Sequence, residues 1–153
     1  MQLLLAIALS EVYSPAVQAQ AVTTHSNFAV FVNDVAFSPC TEENIFLTGR
    51  QHVVTHTTVD AQGGVHTRSH LDESTTGVGE GSGTVYKHTV AINEVFHTIA
   101  AAPSEFTLET HNHLISHGRL SNQIIHTIFH MTVNAQGEVT SLTSRARIEC
   151  TAT

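Results

Sequence analysis

The sequence predicts an all-β fold: a single antiparallel barrel, or a barrel-like sandwich, of seven or eight strands. Three observations predict it. Helix signals are nearly absent after residue 24. Runs rich in Thr and Val alternate in polarity and end at Gly, Asn, Asp or Ser. And one hairpin unit occurs twice, as residues 52–65 and 126–139, identical at 8 of 14 positions.

The first 21 residues read as an export signal, leaving residues 22–153 as one all-β domain. Residues 3–9 are apolar, and Val17-Gln18-Ala19 or Ala19-Gln20-Ala21 suits signal peptidase. The apolar run is too short to span a bilayer. A short buried strand or a frayed terminus is the alternative.

Strands are predicted near 25–37, 44–59, 65–72, 83–97, 104–117, 122–133 and 139–149. This number of strands in so short a chain suits a lipocalin-like or related small barrel. Gly77-Val78-Gly79-Glu80-Gly81-Ser82-Gly83 is predicted to be a flexible loop leading into a Gly-kinked strand. It lacks the Gly-Lys-Ser/Thr ending of a phosphate loop and the βαβ context of a dinucleotide site.

The repeated unit has the chemistry of a type I turn closed by a left-handed glycine. Asp60-Ala61-Gln62-Gly63 and Asn134-Ala135-Gln136-Gly137 each offer a capping side chain and a Gly at the positive-φ position. Duplication and convergence on a good hairpin both explain the match. Each turn follows two histidines four apart, His52 and His56, then His126 and His130. Such pairs share one strand face. A bulged loop sets His56 opposite Arg68 and Thr58 opposite His66. The same pattern in the second hairpin sets His130 opposite Leu142 and His126 opposite Ala146. Ile128, Leu142, Ala146 and Ile148 make that face apolar, whereas Arg145, Arg147 and Glu149 occupy the other. The expectation is therefore that His126 and His130 point inward.

Charge and composition exclude several functions. The formal charge is −7, with only 6 Lys+Arg, which argues against nucleic acid and against an anionic membrane surface. There is no Trp, so an aromatic carbohydrate platform is not expected. Histidine is the outlier, with 12 residues. Protonating all of them would take the charge from −7 to +5, much of it near the unperturbed pKa of about 6.5.

His111-Asn112-His113 places two imidazoles on one strand face, about 7 Å apart, where they are candidates for a divalent metal. They share that face with Glu105, Thr107 and Glu109, so the pair is expected to face solvent. His52/His56 and His126/His130 lie about 13 Å apart along their strands, so no single metal joins either pair. A site would need groups from other strands, with His66, His88 and Glu94 as candidates. Satisfied core histidines are the plainer alternative. No cofactor is predicted, and no catalytic triad or nucleophile elbow is present.

Cys40 and Cys150 stand near the two ends of the mature chain. In an exported protein they are expected to pair; two buried free thiols are the alternative.

The chain resembles a group of small secreted bacterial all-β proteins of uncharacterised function. The matching features are Ser38-Pro39-Cys40-Thr41-Glu42-Glu43, Leu47-Thr48-Gly49 with His52, and Thr58 through Gly64. Further matches are the Gly-rich stretch 77–83, Asn122 through His126, His130, Thr132 through Val139, and Glu149-Cys150. The resemblance implies export, an all-β fold and paired cysteines. It implies no activity. It does not extend to strand 104–117, whose extra histidines are peculiar to this chain.

The leading functional expectation is a secreted, non-enzymatic barrel that binds a small molecule, its interior edged by His52, His56, His126 and His130. No nucleic-acid partner and no membrane insertion are expected. An isomerase or cyclase using a histidine as general base is the second reading. A structural or cell-surface interaction protein is the third.

Overall fold

The computed structural model describes residues 20–98 and 103–152. All but the last two residues of the predicted export signal lie outside them. Seven strands run as β1 (Val22–Ser38), β2 (Glu43–Val59), β3 (Val65–Gly79), β4 (Val85–Thr98), β5 (Ser104–Ser116), β6 (Asn122–Val133) and β7 (Val139–Thr151). They form one sheet in sequence order, each strand antiparallel to its neighbours. No pairing joins β1 to β7 among the described residues. The sheet is therefore open, neither a closed barrel nor a two-sheet sandwich.

The sheet is nevertheless strongly curled at one end. Adjacent strands lie about 4.8 Å apart, so a flat sheet would hold β2 and β7 roughly 24 Å apart. Cys40, in the β1–β2 turn, is bonded to Cys150 near the end of β7, with a Cα–Cα distance of 5.5 Å. The predicted cysteine pairing is thus present, and it draws the two sides of the sheet together.

The core fills that curled end. Ile45, Leu47, Tyr86 and Leu114 are buried, with Ala36 and Leu120 packed against them. Alternation along each strand puts them on one face. Leu47, Gly77, Tyr86 and Ser116 form one cross-strand row, and Gly49, Thr75, His88, Leu114 and Gln123 the next.

The Gly-rich stretch differs from expectation. β3 continues through Gly77 to Gly79 instead of ending near residue 72. A Cβ on Gly77 would sit 2.6 Å from the Phe46 carbonyl oxygen and 2.7 Å from the Leu47 side chain. Glycine is what lets β2 and β3 close so tightly. The turn that follows is organised by a carboxylate of the chain itself. Glu43 accepts hydrogen bonds from Tyr86 Oη (2.7 Å), Ser82 Oγ (2.9 Å), and the N–H groups of Ser82 (3.0 Å) and Gly81 (3.2 Å). Burial acts to raise the Glu43 pKa, but these donors together hold it below the ordinary carboxylate value.

Both predicted hairpin turns are present. Gly63 and Gly137 adopt φ of 83° and 84°. The Asp60 carboxylate accepts from the N–H groups of Gln62 (2.9 Å) and Gly64 (2.7 Å). Asn134 Oδ1 does the same for Gln136 (3.0 Å) and Glu138 (2.9 Å).

Candidate functional site

The first hairpin has the expected register, with His56 opposite Arg68 and Thr58 opposite His66. The second does not. Val133 pairs with Val139, but Thr132 pairs with Ser141, so Thr140 is an extra residue in a bulge. Beyond it, His130 faces Thr143 and His126 faces Arg147. A one-residue slip exchanges the faces of a strand. Arg145, Arg147 and Glu149 therefore share the face of His126 and His130, while Leu142, Ala146 and Ile148 join the core-bearing face. The expectation that His126 and His130 point inward is overturned. His52 and His56 also alternate out of phase with buried Ile45 and Leu47, so they too lie on the opposite, exterior face.

Ten of the twelve histidines lie on that exterior face. His52 Nε2 is 2.6 Å from Asn27 Oδ1. His56 packs against His25 with ring centroids 4.4 Å apart and lines an exterior groove of about 370 Å³ with Val54, Arg68, His70 and Asn93. His66 packs against His97 at 4.1 Å. His130 Nδ1 meets Thr107 Oγ1 at 2.9 Å. His113 is exposed, as expected, but is not part of a ligand cluster among the described residues.

His111 and His126, directly opposed on β5 and β6, stack at 4.3 Å with Glu109 between their nitrogens. Glu109 Oε1 lies 3.2 Å from the Nε2 of each ring. Hydrogen bonds from His126 and then His111 hold the Glu109 carboxyl below the ordinary value.

The buried face has its own polar cluster, built around His88. This is the strand histidine in phase with the core, only 5% exposed. His88 Nδ1 lies 3.1 Å from Thr75 Oγ1 and 3.3 Å from Glu73 Oε1. The Thr75 hydroxyl donates its one proton to Glu73 at 3.4 Å, so it accepts from His88 Nδ1–H. In the neutral ring this arrangement leaves Nε2 as the acceptor nitrogen. Nε2 has no hydrogen-bond partner among the described residues. Neither has Asn112 Oδ1, nor Oε1 of Gln123, which is 3% exposed. All three atoms belong to the same face, in two adjacent rows. Farther along it, Val53, Ser69, Leu71, Ile92 and Glu94 line a cavity of about 150 Å³.

His88 and Glu94 stood out in the sequence only as partners for other histidines, and Glu73, Asn112 and Gln123 did not stand out at all. Strand parity around Tyr86 and Leu114 was the signal available for His88 and Asn112. No protein-family model, curated protein or solved structure matches the chain.

Proposed function

We propose that this protein binds a small molecule along the buried face of its curled sheet, through His88 rather than the histidines of the two hairpins. The observation that supports the reading is the set of buried acceptors, His88 Nε2, Asn112 Oδ1 and Gln123 Oε1, without partners among the described residues. Leaving such a group unmet costs about 1–3 kcal/mol. A ligand that donates hydrogen bonds to them removes that cost. The acidic and basic strand residues on this face are Asp34, Glu43, Glu73, His88 and Glu94, whereas Arg50, Arg68, Lys87, Arg145 and Arg147 are on the other. The ligand chemistry that fits is a donor-rich head, an amine or a group of hydroxyls. Its apolar body would rest against Val53, Leu71 and Ile92. A cavity of about 150 Å³ is below the ~300–1,000 Å³ usual for drug-sized ligands, which favours a small one.

A second reading has one observation in its favour. His88 has Nδ1 engaged by Thr75 and Glu73 and Nε2 free, the arrangement of a general base held in one tautomer. In that reading Nε2 would take a proton from the bound donor group. The disulfide supports work outside the cytoplasm, in line with the leader-like start. Closure of the sheet into a full barrel on ligand binding belongs to the same proposal.

Native mass spectrometry of untagged, exported protein tests it. A bound small molecule is expected, lost in His88→Leu and Gln123→Leu variants that retain a cooperative melting transition. A bare wild-type mass, or cargo retained in both variants, would refute the reading.

A further inference from the structure

The geometry points to a second site on the exterior face: Glu109, His111 and His126 form a binding site for one divalent transition-metal ion of the zinc class. Sequence spacing suggested His111 with His113, two residues along one strand. The sheet instead joins His111 to the histidine directly across from it. Glu109 and His111 share a face two residues apart on β5, and His126 faces His111 from β6. Their three donor atoms all lie within 4.8 Å of one another.

The carboxylate-to-imidazole distances suit a metal. Bonds of about 2.0–2.1 Å in a tetrahedral site put neighbouring donors about 3.3 Å apart. Glu109 Oε1 is already 3.2 Å from each Nε2. The two nitrogens must also close on each other, and the rings, stacked 19° from parallel, must splay about their side-chain torsions so that both Nε2 lone pairs converge on one ion. The donors are two imidazoles and a carboxylate, a set that zinc accepts while keeping a further position open. With the proton moved to Nδ1, each neutral ring offers its Nε2 lone pair. The rings and the carboxylate are each about two-fifths exposed, so an ion can enter directly.

The surroundings fit as well. Ala91, opposite His111 on β4, leaves that side of the site open. Arg147, opposite His126 on β7, would oppose a cation, but its Nε is paired with Glu149 at 2.8 Å. His126 also borders a groove of about 510 Å³ flanked by Arg145 and Arg147. An anion there would be well placed to complete the coordination.

Calorimetric titration of Zn²⁺ into the full disulfide-bonded protein tests the site, with Co²⁺ absorption as a second readout of coordination geometry. One ion per chain is expected. His126→Ala and Glu109→Gln should each weaken binding by at least about tenfold, whereas His113→Ala and His130→Ala should leave it unchanged. Each variant is first checked for a wild-type melting transition, and His126→Gln stands in should the alanine variant misfold. No one-to-one binding, or equal loss in the His113→Ala variant, would overturn the site, the latter by showing dispersed adsorption to surface histidines. Substitutions on the buried face, at His88 or Gln123, should not alter the titration, so the two proposals fail separately.

Discussion

At the scale of single residues, the two turns pose a natural comparison. Asp60 and Asn134 fill the same role, each accepting from the N–H groups two and four residues ahead. Asn134→Ala removes both acceptor contacts, and a loss of about 1–2 kcal/mol in urea unfolding is expected. Asp60 differs because it ionises. The hydrogen bond with His66, and then that from Gly64, holds its carboxyl below the usual 3.8. A depressed folded pKa contributes stability above the unfolded value and loses it as pH falls through the folded one. Asp60→Asn should keep the turn yet flatten the decline in melting temperature as the pH falls below about 4. An unchanged acid slope in that variant would remove Asp60 from the account. His88 illustrates what the sequence hid at this scale. Nothing distinguishes it among 12 histidines until strand phase sets it beside Tyr86 and Leu114.

At the scale of elements, strand existence was legible and register only half so. Alternation and turn chemistry located all seven strands because both are local properties of the chain. Thr140 was not legible, because an extra strand residue leaves composition and alternation nearly intact. That one residue reversed the inferred face of β7, and with it the orientation assigned to His126 and His130. The same stretch holds part of a regularity visible only in the sheet. The β1–β2, β3–β4 and β5–β6 pairs each have two histidines directly opposed, at 4.4, 4.1 and 4.3 Å. The end of β3 was misread for a different reason. Glycine there serves close approach between strands, which looks identical to loop flexibility in a sequence. Gly49 shows the constraint well: an added Cβ would meet the Ser74 carbonyl oxygen and the Thr75 backbone. Gly49→Ala should destabilise the fold by about 1–3 kcal/mol, measured against Gly81→Ala, whose nearest neighbour is 3.8 Å away. Equal effects of the two substitutions would contradict this account of close strand approach.

At the scale of the whole molecule, the disulfide decides the shape. A loop of this length contributes about 4–5 kcal/mol on the chain-entropy model, and the bond also joins two sides of a sheet that share no strand pairing. The Cys40→Ala/Cys150→Ala double variant should lose stability of that order and expose the inner face to an apolar dye. The open seam itself was not legible, since closure depends on coiling summed over every strand. The position of the bond has a further consequence. The chain from Cys40 to Cys150 is a covalent ring, and β1 is a tail outside it. A protease cut anywhere within the ring leaves one molecule of unchanged mass but for a water, visible as two fragments only after reduction. A cut before Cys40 removes the tail instead, and β1 then stays only as long as its pairing with β2 holds. Tail and ring thus differ in how they can be lost: the tail by a single cleavage, a piece of the ring only by two cleavages or by one together with reduction.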